Sequence, residues 1–160
     1  MIEELLLMRK IPLGPNLGRL ALRMAVFIPL FMKHGIEKLF TFSAMSQHYV
    51  DPVGIGPVPT LVIAMISDGI CSLLLVIGLG TRWAAIYSFC NLFVAWATVH
   101  HFALMSRQDQ SGETIFIYMA ACVALFLLGA GKFSVDGLIQ SLREKREADK
   151  VSQRLTRVQA

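Results

Sequence analysis

Arg23, His34, Asp68 and His100 carry charge or an imidazole inside stretches that are largely apolar. A charge in such surroundings is costly unless it is paired or put to use. Arg23 and Asp68 are opposite charges, and an arginine reaching up to the aspartate would spare both from standing alone. That pair reads either as a clamp between two helices or as the edge of a site that handles protons or a quinone headgroup. The two histidines read as a second polar level, with Lys33, Glu37, Lys38, His101 and Glu113 nearby in sequence. Two imidazoles at one level on two helices could ligate a haem or a metal. A hydrogen-bonding pocket is the preferred reading, because neutral imidazoles both donate and accept and titrate near neutral pH. Haem is disfavoured and no metal site is assigned.

The elements that must position these groups follow from composition. The chain has 160 residues, of which 55% are hydrophobic and 16% charged. A soluble domain carries about 25% charged residues. About 20 mostly apolar residues suffice to cross a bilayer as a helix. Four stretches qualify, at 17–40, 58–79, 83–104 and 114–131. Backbone groups in lipid must be satisfied internally, so such spans are helical. A β-barrel would need apolar and polar residues in alternation, and runs such as Leu73-Leu74-Leu75-Val76-Ile77 do not alternate. The expected fold is all-α: an integral membrane, antiparallel four-helix bundle with a basic cytoplasmic C-terminal tail. Residues 1–16 form an interfacial segment, 17–136 the membrane domain and 137–160 the tail. On this frame Asp68 lies about 15 Å into its span, and Arg23 about 9 Å above the inner end. His34 and His100 both stand about 25 Å up.

Punctuation and charge complete the frame. Pro52, Gly54, Gly56, Pro57 and Pro59 break the chain before the second span, as a rigid turn or as a lid over the outer pocket. Gly78, Gly80 and Thr81 link spans two and three, and the polar run 107–112 precedes span four. With both termini cytoplasmic, 12 Lys and Arg lie inside and 3 outside, the arrangement the positive-inside rule prefers. The tail from Gly137 holds six Lys or Arg against Glu144, Glu147 and Asp149, a balance suited to anionic lipid rather than nucleic acid. Leu138, Leu142, Val151, Leu155 and Val158 are its apolar positions, read as an amphipathic helix or a docking face. Cys71, Cys90 and Cys122 sit on three spans with no C-x-x-C, so they read as small apolar residues rather than as a dithiol. No flavin or nucleotide fingerprint is present.

Several short runs occur in a telling order. Arg23 is followed by His34-Gly35-Ile36-Glu37-Lys38-Leu39, then by Asp51-Pro52-Val53-Gly54-Ile55-Gly56-Pro57. After the acidic Asp68 come Gly78-Leu79-Gly80-Thr81-Arg82, a His at position 100 or 101, Glu113, and Gly129-Ala130-Gly131-Lys132-Phe133-Ser134-Val135-Asp136. Together these resemble the DoxX family along nearly the whole helical part. The chain departs from that pattern with Asp68 for a usual Glu, Ala130 for Pro and Lys132 for Arg. The resemblance implies a four-helix protein of the bacterial cytoplasmic membrane, in a family named for a subunit of quinone-linked sulfur oxidation and terminal oxidase complexes.

The expected function is that of a quinone-interacting membrane subunit of an oxidoreductase complex, with electrons supplied by a partner chain or substrate. The alternative is a non-enzymatic scaffold or small-solute permeation module. Candidates for catalysis are Arg23, His34, Asp68 and His100. Candidates for holding a cofactor are His34, Glu37, Lys38, His100, His101 and Glu113. Expected partners are the lipid membrane, other membrane or redox subunits and a second copy of the chain.

Overall fold

A computed structural model describes residues 14–104 and 111–159. Most of the interfacial segment expected at 1–16, and the start of the 107–112 loop, lie outside the described residues. Every regular element among the described residues is helical. Helix α1 (Pro15–Leu30) passes through a π-helical turn (Phe31–Gly35) into α2 (Ile36–Phe40), and α3 (Phe42–Met45) follows. Pro15 opens α1 where the missing N–H costs nothing. Pro29 lies inside it, and the widened turn follows directly. Helix α4 (Pro57–Met65) runs through a second π turn (Ile66–Cys71) into α5 (Ser72–Ile77). Then come α6 (Thr81–Thr98), α7 (Ser111–Leu128) and α8 (Val135–Gln159).

Helix α1 packs on α5, α2 on α4, and the two π turns on each other, so the first two rods run antiparallel. Helix α6 packs along α7, and Ala84 and Ala85 on the one and Ala121 on the other are buried. Small residues there let two backbones approach. Phe27, Leu30, Leu75, Cys122 and Leu125 fill the centre. The continuous helix Pro57–Ile77 is long and apolar enough to cross a membrane, and Gly112–Leu128 is apolar but shorter.

The crossing of the π turns is a backbone contact. A methyl group added at Gly35 would lie 2.5 Å from the carbonyl oxygen of Asp68 and 2.9 Å from the Cα of Gly69. Only a residue without Cβ permits that approach.

The end remote from the 46–56 loop, here called the lower end, is stapled by Arg23, which is 2% exposed. Its guanidinium donates to the carbonyls of Val76 (3.0 and 3.3 Å), Ala130 (2.7 Å) and Phe133 (3.0 Å). Val76 lies in the last turn of α5, where carbonyls have no partner within the helix. Gly78 takes φ +72° beneath this staple, with Ser134 and Arg23 packed where a side chain would stand. The Asp136 carboxylate accepts from the N–H groups of Gly80 (2.8 Å) and Thr81 (3.0 Å), capping α6 from another element. The clamp expected between Arg23 and Asp68 is therefore absent. Helical side chains lean toward the N-terminus of their own helix, so Arg23 points down and away from Asp68.

Helix α6 ends at Thr98, six residues short of the expected span. Phe102 folds back so that its ring meets Trp96 edge-on at 5.2 Å, and the Trp96 indole N–H donates to the Ala103 carbonyl at 3.3 Å. His101 and Phe102 take positive φ in this reversal. The tail is one helix, Val135–Gln159, and Arg143, Arg146, Lys150, Arg154 and Arg157 share one face of it, the amphipathic form expected. Leu142 and Val151 are two and a half turns apart at about 3.6 residues per turn, so the Leu138–Leu142 and Val151–Leu155 pairs lie on opposite sides.

The Gly35 contact predicts that Gly35→Ala lowers the thermal midpoint in detergent, by about 1–3 kcal/mol of overpacking. Gly18→Ala, where the added methyl meets nothing within 4 Å, should be neutral or mildly stabilising. Equal midpoints for the two variants would remove the crossing from the fold's support. The Asp136 cap predicts an acid limb. Desolvation pushes its carboxyl up, but the Thr81 and Gly80 N–H groups and Arg23 outweigh it and hold it below the usual value. The unfolded chain therefore takes up the proton first, and stability present above about pH 4 is lost as the pH falls further. Asp136→Asn should be less stable at neutral pH and show a shallower acid loss.

Candidate functional site

Above the crossing the helices enclose a cavity of about 600 Å³. Its polar wall is built mostly from the first two rods. His34 and Lys38 are one helical turn apart and both face it, and Asp68 faces it from the π turn of the second rod. The Lys38 ammonium donates to Asp68 Oδ2 at 2.7 Å. Asp68 is 6% exposed, and its Oδ1 has no hydrogen-bond partner among the described residues. The π turn contributes to this placement: Ser72 Oγ bonds back to the carbonyls of Asp68 and of Gly69 (2.9 Å), so a side chain supplements the wide backbone ladder.

The expected partner of Asp68 is thus replaced by Lys38. Helix α2 rises, so Lys38 leans down. The second rod descends, so Asp68 leans up. The two meet at the cavity wall. The i, i+4 spacing of His34 and Lys38 was the sequence signal for this face, and it was visible without a structure.

His100 lines the opposite side, just past the end of α6. The His34 ring meets Tyr118 edge-on at 6.5 Å between centroids. Tyr49, Thr60, Asn91, Thr114 and Tyr118 also reach the wall, and none was singled out from the sequence. They belong to four different segments, and no local pattern joins them. Burial pushes the Tyr49 phenol up, so it stands as a neutral donor. Arg23 is remote from this cavity, in the lower staple. Glu37, His101 and Glu113 are exposed and do not line it.

The roof is the 46–56 loop, from which Tyr49, Val50, Pro52, Val53 and Ile55 face the cavity. Asp51 organises it. Its carboxylate accepts from the N–H groups of Gly54 (3.0 Å), Ile55 (3.2 Å) and Gly56 (2.6 Å) and from the Thr60 hydroxyl (3.0 Å). These bonds, Gly56 first, hold its carboxyl below the usual range. The rest of the lining is largely aliphatic, including Leu30, Ile63, Ala64, Leu92 and Ile115. An apolar chamber with a few convergent polar groups is the ordinary form of a small-molecule site. This one offers imidazole, phenol and ammonium donors on one level and a carboxylate acceptor with one oxygen free.

A family model for DoxX matches residues 18–101. The chain belongs to the DoxX family. The match takes in Arg23, His34, Lys38, the 51–57 roof, Asp68 and His100, and it stops before Glu113, Tyr118 and the 129–136 run. An uncharacterized protein of Haemophilus influenzae is similar, with 32% identity over 80 residues, 50% of this chain and 53% of that protein. The match therefore spans about half of that relative's length. No solved structure matches.

The DoxX chamber predicts a coupled pair. Lys38→Met leaves Asp68 buried without its counter-ion and should destabilise by about 3–5 kcal/mol. The double variant Lys38→Met with Asp68→Asn should recover part of that loss, a coupling of about 1 kcal/mol or more in thermal or denaturant unfolding. Arg23→Gln with Asp68→Asn should instead be additive. Coupling in the second cycle and none in the first would reverse the assignment.

Proposed function

We propose that this DoxX protein is an antiparallel four-span protein of the bacterial cytoplasmic membrane, with both termini cytoplasmic, and that its upper chamber holds a quinone headgroup within an oxidoreductase complex. The membrane reading is supported by family membership and by the surface. Phe40 is 87% exposed, Trp83 80% and Leu127 69%, and large apolar side chains stay exposed along every rod. A water-soluble monomer rarely shows contiguous apolar patches beyond a few hundred Å². A bilayer covers such a surface at no cost.

One observation carries the chamber reading: His34, His100 and the Lys38–Asp68 pair line one largely apolar cavity. A flat ring with a carbonyl at each end needs donors on opposite sides and apolar walls on its faces. His34 and Lys38 stand on one side and His100 on the other. The free Asp68 Oδ1 can accept from a hydroxyl. A bound quinone would supply two-electron, two-proton chemistry. The residues of this chain orient it, exclude water and hold a proton at an imidazole or at the Asp68 carboxylate. Electrons come from a partner chain or from substrate. A solute pathway is less well served. Below the chamber Phe27, Leu30, Leu75 and Leu125 are buried and close the centre above the Arg23 staple.

The test is lipid extraction of protein purified in mild detergent, followed by quinone analysis. Wild type should carry quinone well above the level of a control membrane protein. His34→Gln and His100→Gln should each lose most of it while melting normally. Wild-type quinone content in both variants, or none in the wild type, would leave the chamber without this ligand.

A further inference from the structure

The chamber is not closed on all sides. Helix α6 packs against the lower half of the second rod, the 66–71 turn and α5, and diverges from α4 above them. The contact that spans this cleft is at its base, where the Tyr87 hydroxyl donates to the Ile63 carbonyl at 3.5 Å. Ile63, Tyr87, Cys90 and Val94 line the cavity and are at the same time exposed on the outside of the protein. A residue that faces both ways between two helices that do not pack is a rim, not a wall. The rim is apolar apart from one phenol. It faces sideways, on the belt that carries the exposed aliphatic side chains, and not up through the roof, whose shape Asp51 fixes by four hydrogen bonds within 51–60.

We infer that the cleft between α4 and α6 is a lateral portal. It loads the chamber from the hydrocarbon phase with an amphipathic ligand whose long isoprenoid tail stays in the cleft and the lipid. This rests on the chamber holding a headgroup, and it adds the class of ligand and its route. Volume supports it. A cavity of about 600 Å³ is of the size that takes one drug-sized group. A polyisoprenoid tail does not fit beside that group and must leave. Ile63 and Val94 give this cleft apolar side chains that face both the cavity and the outer surface.

The experiment uses the full-length protein in phospholipid nanodiscs and a fully substituted benzoquinone with a decyl tail ending in a diazirine. Photolysis is followed by peptide mapping, with and without excess of the same quinone bearing a methyl group in place of the tail. The expected result is label on residues of 57–65 and 81–98 at the portal, reduced about tenfold when the competitor stands at ten times its dissociation constant. Cys90→Trp fills the cleft. It should abolish the competed label on α4 and α6 and weaken binding of the decyl-tailed quinone far more than binding of the tailless one. Competed label on the roof loop or on α7, or a Cys90→Trp variant that keeps the portal label, would overturn the portal while the headgroup site stands. If no label is competed at all and the tailless quinone does not bind, the headgroup site falls and the portal with it.

Discussion

Everything at the upper end depends on two backbones touching. Gly35 on the first rod lies against the Asp68 and Gly69 backbone on the second, at a distance that excludes any Cβ. That contact fixes the height of one rod against the other. It sets Lys38 opposite Asp68, brings His34 to the same wall, and holds the rods together just below the level at which a cavity opens. Both rods are π-wound where they cross. The wider turn changes the phase of the residues that follow, so the faces of α2 and of Asp68 are set by the crossing as much as by sequence spacing.

Charge is divided between the two ends by the direction in which helical side chains lean. Arg23 and Lys38 are on the same rod and both lean down it. For Arg23 this means the lower end, where three carbonyls from the end of α5 and the 130–133 link accept from all three of its guanidinium nitrogens. For Lys38 it means the cavity. Asp68, on a rod of opposite sense, leans up to meet it. The lower end is thus a structural knot, completed by Asp136 at the start of α6. The chemistry is confined to the upper end. The motif runs around Arg23, Gly78–Arg82 and Gly129–Asp136 belong to the knot. The runs around His34–Lys38 and Asp51–Pro57 build the chamber and its roof.

The chamber combines a rigid roof with a loose side. Asp51 ties three successive N–H groups and a hydroxyl into one carboxylate, which is a local arrangement that the 51–60 stretch makes by itself. The side is loose because α6 follows the second rod only through its lower half. A bundle that is tight below and splayed above keeps its stability in the packed half, and it leaves the other half free to hold a ligand.

Much of this was legible in the sequence. The all-helical character, the breaks at Pro57 and Gly78, and the unusual residues inside apolar stretches follow from composition and local chemistry. Equal depth put His34 and His100 at one level, and both face one cavity. The sequence could not name the partner of Asp68. Depth arithmetic treats a side chain as a point on its helix axis, whereas partner choice turns on lean, on phase and on the π turns that shift both. It could not place the end of α6, because the Phe102 ring packing on Trp96 reverses the chain against an apolar pattern that would continue. Nor could it set Glu37, His101 and Glu113 aside, since proximity in depth says nothing about which way a side chain faces. The sequence determined which residues would be costly in an apolar interior. Tertiary packing alone decided which of them meet, because that depends on contacts between segments tens of residues apart.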